Sequence, residues 1–359
     1  MTPSRLRLAR HRRGMTLTTL ARVSGVPLRT LSAYENAHHT PPWPTVLTLA
    51  AALDVRPEFL AGDEVDLLDP DVVSFRKLSR TTAGRRDAAL AAGRIAVEIA
   101  DWMQARFRLP APDLPTLEKH EPETAAEIVR QRWDLGERPV PNVVHLLEAH
   151  GVRVFSLAED CREVDAFSLI RDDRPFAFLN TDRSAERQRF DAAHELGHLL
   201  VHAGTPRVHG RDREAEANRF AAAFLMPRRA VLAQGLREAT LDRVLAAKRH
   251  WTVSAMAMTH RLHELQLLSD WNYRTTCVAL ARDGYRSTEP GGVRPEVSQV
   301  AAKVLASLRE RGEVGQLAEH LGLGLDELSR HLFRLVPTAV AGGVDDPTPP
   351  RGRLQLVRP

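Results

Sequence analysis

The stretch SAERQRFDAAHELGHLLVHAG, from Ser184 to Gly204, constrains this chain more than any other. Ser184 is a fitting N-cap and Gly204 a fitting stop, so the spacing predicts one helix. Within it, His194-Glu195-Leu196-Gly197-His198 sets two imidazoles four residues apart on one helical face, where both can grip a single ion. Phe190, Ala193, Leu196, Leu199 and Leu200 make the surroundings apolar, and buried histidines need polar or metallic partners. Glu195 is offset by about 100° from His194, the angle between successive helical residues. It therefore stands beside the ion and not on it, where a carboxylate can take a proton from an attacking water. The fold must accommodate this buried polar helix, and the expected cofactor is Zn2+.

A catalytic zinc takes three protein ligands and keeps a fourth place open. The third is expected from the helix REAEANRFAAAFLMP, which ends at Pro227. Its apolar face is Ala217, Phe220, Ala221, Phe224 and Leu225. Glu214 lies three and seven residues before Ala217 and Ala221 and so shares that face, whereas Glu216 is expected to point to solvent. An acid on a buried stripe calls for a cation, which favours Glu214 as the ligand. His202, His209 and Asp212 are the other nearby groups, with His202 one turn beyond His198 as an outer support or a core histidine.

Charge is distributed unevenly. Residues 1–62 hold eight arginines against three acids, while the whole chain carries a net charge of +4. The positive excess therefore belongs to the N-terminal segment, which suits a phosphate-facing module. That segment reads as five short helices: SRLRLARHRR to Gly14, TLTTLARVS to Gly25, PLRTLSAYENA with Pro27 at its first position, then TVLTLAAALDV and RPEFLAG. Leu17, Leu20, Ala21 and Val23 are expected to share one face. Leu47, Leu49, Ala50, Leu53, Phe59 and Leu60 are core candidates.

The expected fold class is α+β and mostly helical. It comprises a five-helix bundle at 1–62, a helical spacer at 63–140, a zincin-like domain with a small β-sheet at 141–268 and a C-terminal helical domain at 269–336. The spacer holds the helix GRRDAALAAGRIAVEIADWMQARF and the segment TAAEIVRQRWDL. In the third part NVVHLLEAHG reads as a helix and VRVFSL as a strand. DAFSLIRDD and RPFAFLN read as a β-pair turning at Asp172-Asp173. Two or three amphipathic helices fill 228–268 and a helical pair fills 296–336. The Pro- and Gly-rich tail 337–359 is expected to be disordered.

Two cysteines, Cys161 and Cys277, stand far apart in no CxxC pattern. This argues for a reducing cytosol and against a thiolate metal site. The opening MTPSRLRLARHRRGM has no apolar core of a signal peptide, and no apolar run reaches the roughly 18 residues of a spanning helix. A cytoplasmic location away from any membrane is expected.

The paired blocks RSAERQRFDAAHELGHLLVH and EAEANRFAAAFLMP resemble the ImmA/IrrE family of bacterial metallopeptidases over roughly residues 141–268. The resemblance implies zinc ligands His194, His198 and Glu214 with Glu195 as general base. It also implies cleavage of a helix-turn-helix repressor in a stress, phage or mobile-element response. TLTTLARVSGVPLRTLSAYENAHHTPP resembles XRE-type, phage-repressor-like helix-turn-helix domains. In that geometry Arg29, Thr30 and Ser32 face base edges or phosphates of double-stranded DNA, Leu31 packs inward, and Arg10, Arg12 and Arg13 approach the backbone. Thr18 stands where that family usually has glutamine, and Ala37-His38 where it commonly has glycine. The segment QLAEHLGLGLDELSRHLF looks like a further small helix-turn-helix of mixed charge, read as a packing or partner element.

The leading expectation is a DNA-binding transcriptional regulator with zinc endopeptidase activity. Its expected partners are DNA, a repressor substrate and a second copy of the chain as a homodimer. His202, His209 and Tyr273 are the candidates for stabilising an oxyanion. Two other readings stay open: a transcription factor whose zinc domain senses or scaffolds without cleaving, and a toxin-antitoxin or phage-defence component.

Overall fold

The structure is a computed structural model, described here for residues 1–69, 82–157, 164, 166–203, 211–286 and 288–336. The expectations for Cys161, Gly204, His209 and the tail 337–359 lie outside the described residues. The described residues form two compact units: one drawn from 1–69, 82–110, 155–157, 164 and 298–336, the other from 111–154, 166–203, 211–286 and 288–297.

The first unit begins with α1 (Pro3–Arg12), α2 (Leu17–Ser24), α3 (Leu28–Glu35), α4 (Trp43–Leu53) and α5 (Pro57–Ala61), the five helices that the turn residues predict. Thr16 caps α2 by accepting from the Thr19 amide, and Gly25 follows it in the left-handed conformation. Pro27 is the N-cap of α3 and not its first residue. Leu6, Leu8, Leu20, Leu31, Leu49, Leu53, Phe59 and Leu60 fill the core. Val23 and Leu47, expected inside, are 50% and 45% exposed. Val23 lies where α2 runs out towards Gly25, and Leu47 lies one turn on from the exposed Trp43 on the outer side of α4.

The expected spacer is divided between the units. Its long alanine-rich helix α6 (Ala83–Arg106) packs on α1, burying Ala89, Ile95, Ala96, Ile99, Trp102 and Met103. α7 (Pro122–Arg132) belongs to the second unit. The C-terminal residues contribute three helices to the first unit instead of a pair: α15 (Gln299–Glu310), α16 (Val314–His320) and α17 (Leu325–His331). They sit close on the N-terminal bundle. The Arg56 amide donates to the Gly322 carbonyl at 3.0 Å, and a Cβ on Gly322, whose φ is +63°, would come within 2.4 Å of the Phe59 nitrogen.

In the second unit α8 (Val143–Ala149) starts at Asn142, whose side chain accepts from the His145 amide. β1 (Arg153–Leu157) follows, its last three residues counted in the first unit, then β2 (Ala166–Arg171) and β3 (Arg174–Asn180); the strand order is β1-β3-β2. β2 and β3 form an antiparallel hairpin with Ser168 opposite Ala177. Asp172 and Asp173, with φ of 49° and 57°, make its two-residue turn, the left-handed pair that short hairpins favour. α9 (Ala185–Val201) lies on the hairpin, capped by Ser184 as expected. α10 (Arg211–Leu225) packs along α9 and α7. Arg130 of α7 secures the end of α10 by donating to the Phe224 carbonyl at 2.5 Å. Three helices then fill 228–264 as expected: α11 (Arg228–Ala233), α12 (Leu241–Trp251) and α13 (Ala255–Glu264). A further helix, α14 (Asp270–Arg282), completes this unit. No described helix is long and apolar enough to cross a membrane.

Candidate metal centre

The close approach of α9 and α10 depends on Gly197. A Cβ there would lie 3.0–3.3 Å from three atoms of Phe220, so the glycine lets the two helices meet one turn from the polar groups they carry. Those groups are His194 and His198 from α9 and Glu214 from α10. The two Nε2 atoms are 3.0 Å apart. Glu214 Oε2 lies 3.4 Å from His194 Nε2, and its Oε1 lies 3.3 Å from His198 Nε2. Among the described residues these three form the one cluster of histidine, cysteine or acidic side chains able to hold a metal ion.

Their outer atoms are already engaged. His194 Nδ1 meets Asn218 Oδ1 at 3.2 Å. His198 Nδ1 meets His202 Nδ1 at 3.0 Å, and His202 Nε2 meets Glu216 Oε2 at 2.8 Å. A carboxylate and an amide oxygen can only accept there, which places a proton on His202 Nε2 and on His194 Nδ1. His202 Nδ1 is then an acceptor for the proton on His198 Nδ1. Both ligand histidines are left with an Nε2 lone pair directed inward, the form that binds a cation. Glu214 Oε2 is buried with no hydrogen-bond partner, which is costly unless an ion sits against it. The donor set therefore fits a divalent metal of the kind that accepts nitrogen and oxygen ligands, with Zn2+ suited to two imidazoles and a carboxylate.

Glu195 is 1% exposed. Ser168 of β2 donates to its Oε2 at 2.7 Å. Sequence reasoning missed Ser168 and Asn218 as site residues. Asn218 stands four residues after Glu214 and was readable from helical spacing, while Ser168 comes from a distant strand. Glu216, expected to face solvent, instead pairs with His202. Burial lowers the His202 imidazole against the opposing pull of Glu216. Asp212 is exposed. Tyr273, a candidate for the oxyanion, places its hydroxyl 3.0 Å from His260 and stacks on His263.

In the first unit Arg29 is exposed, Thr30 and Ser32 are half-buried and Leu31 is buried, the disposition that a groove-facing recognition helix requires. Ala37 has a φ of 59°, which explains why glycine is common at that place. The three arginines expected along the DNA backbone are committed elsewhere. Arg10 makes a two-pronged pair with Glu35 at 2.6 and 2.9 Å. Arg12, 1% exposed, binds Glu327 at 2.5 Å. Arg13 donates to the Leu53 and Asp54 carbonyls and to Glu327. Buried carboxylates need guanidinium partners, so these side chains fasten α1 to its neighbours, and Arg12 has no surface left for a phosphate.

Three inward-facing donors on two helices, with a buried acid beside them, make a group that could hold a metal ion. Residues 147–263 match the family model of the IrrE N-terminal-like domain of M78 peptidases, and residues 4–61 match that of a helix-turn-helix domain. The chain thus carries an N-terminal region similar to helix-turn-helix domains and, after it, a region similar to M78 metallopeptidase-like domains. No curated protein matches it.

Proposed function

We propose that this chain is a DNA-binding transcriptional regulator whose second unit is a zinc-dependent endopeptidase acting on a helix-turn-helix repressor, in the cytoplasm, during a stress, phage or mobile-element response. The observation that carries the reading is the buried Glu195 next to His194, His198 and Glu214, an acid that a purely structural metal site has no use for. When bound, zinc supplies Lewis-acid polarisation of the scissile carbonyl and makes water a stronger acid.

The chain's own residues divide the remaining work. His194, His198 and Glu214 hold the ion, and Asn218 and His202 fix the ring tautomers that present Nε2. Glu195 takes the proton from the attacking water and returns it to the leaving amide nitrogen. Arg29, Thr30 and Ser32 read DNA, and the covalent link raises the local concentration of peptidase near a bound repressor.

The test is incubation of zinc-loaded wild type and Glu195→Gln with purified helix-turn-helix repressors encoded near the gene. Fragments appear with wild type alone if the reading holds. Equal cleavage by both proteins, or by neither across candidates, would leave a sensor or scaffold in its place.

A further inference from the structure

We propose that Ser168 is a positioning residue for the general base, an inference that rests on the peptidase reading of Glu195. Ser168 is the one hydroxyl in the strand run Ala166-Phe167-Ser168-Leu169-Ile170 and is 4% exposed. A buried hydroxyl among apolar neighbours is costly unless it is hydrogen-bonded. Its proton goes to Glu195 Oε2 at 2.7 Å, with the Glu195 main-chain oxygen farther off at 3.5 Å.

The geometry gives this bond a task. Glu195 follows His194 on α9, so its carboxylate leaves the helix about 100° from the ligand. A glutamate has three rotatable side-chain bonds, and holding it in one rotamer needs an external contact. Ser168 supplies that contact from β2, which is anchored to β3 by the ladder through Ala177. A strand is a stiffer support for such a group than a loop. Because Oε2 is the atom bonded to Ser168, the plane of the carboxylate is fixed relative to His194 and His198. The ion itself is held by other residues, so removing the hydroxyl loosens the base and leaves the metal in place. Misplacing a catalytic group in this way costs on the order of 100-fold in rate.

The experiment uses the full zinc-loaded chain, with turnover read on the member of a quenched fluorescent peptide library that wild type cuts fastest. Ser168→Ala is expected to lower kcat by about 10- to 100-fold with KM within about twofold, and Ser168→Thr to recover most of the loss. Zinc affinity, measured by competition with a chromogenic chelator, stays at the wild-type value in both variants. Crystals of zinc-loaded Ser168→Ala provide a readout independent of turnover. The Glu195 carboxylate is expected to occupy more than one rotamer there, against a single rotamer in wild type. A single wild-type rotamer in Ser168→Ala, a wild-type kcat, or a loss matched by an equal fall in zinc affinity would overturn the proposal. A wild type that cuts no peptide would instead refute the peptidase reading, and the rotamers would still decide the part played by Ser168.

Discussion

Replacing Gly197 by alanine tests how far the metal centre depends on the contact between α9 and α10. The new methyl would sit 3.0, 3.2 and 3.3 Å from Phe220 Cδ1, Cγ and Cβ. Carbon pairs prefer about 3.5–4.0 Å, so the ring must retreat by roughly half an ångström. Phe220 is fully buried and stacked on Phe224 at 5.8 Å, which leaves displacement of α10 itself as the main escape. Overpacking of this kind costs about 1–3 kcal/mol. Alanine in a helix interior returns about 1 kcal/mol relative to glycine, so the net loss of stability is about 0–2 kcal/mol. Glu214 is six residues before Phe220, about 9 Å along the helix at ~1.5 Å per residue. A shift that reaches it should weaken zinc binding about tenfold, the lower end of what disturbed ligand supports cost. Urea denaturation of the metal-free protein and chelator competition measure the two effects. Gly315→Ala is the control, since nothing lies within 4 Å of its Cβ position, and it should gain up to about 1 kcal/mol. The packing argument is refuted if Gly197→Ala gains as much as Gly315→Ala and binds zinc with wild-type affinity.

Three further outcomes follow from the first unit. Glu327 is 3% exposed and receives Arg12, Arg13 and His331, so Glu327→Ala should cost about 3–5 kcal/mol in urea denaturation by stranding buried charge. Burial pushes the Glu327 carboxyl up, but Arg12 first, then His331 and Arg13, hold it well below the ordinary carboxylate range. Its folded pKa is therefore depressed: the stabilisation is complete above the unfolded value of about 4.3 and is lost as pH falls towards the folded one. Wild type should lose stability with acid over that window, and Glu327→Gln should flatten that part of the profile. Arg29→Ala should weaken DNA binding and reduce the salt slope by about one, measured by fluorescence anisotropy across a salt series. Unchanged binding would move the helix-turn-helix face from DNA to protein docking.

The clustering of His194, His198 and Glu214 was legible in the sequence because its geometry is local. His194 and His198 are one helical turn apart, and Glu214 shares a stripe with Ala217 and Ala221. Asn218, four residues after Glu214, was within reach of the same helical spacing but was missed. The supports contributed by distant segments were not legible. Ser168 reaches Glu195 across 27 residues, and Glu327 reaches Arg12 across 315. Composition registers Arg10, Arg12 and Arg13 only as positive charge, and nothing in a charge count distinguishes a guanidinium facing phosphate from one already paired with a carboxylate. Arg12–Glu327 also ties α17 to α1, a pairing that no local pattern announces. The hairpin was readable because Asp172-Asp173 sits between two apolar runs, whereas Val23 and Leu47 satisfied the helical period yet ended outside the core.

The account's central claim is that His194, His198 and Glu214 hold one catalytic ion beside Glu195. Zinc titration followed by peptide turnover on the same samples tests it most directly. Wild type and Glu195→Gln should each bind one zinc per chain with similar affinity, Glu214→Ala should bind far more weakly, and only wild type should turn over. Zinc binding that survives Glu214→Ala unchanged, or turnover that survives Glu195→Gln, would contradict the account.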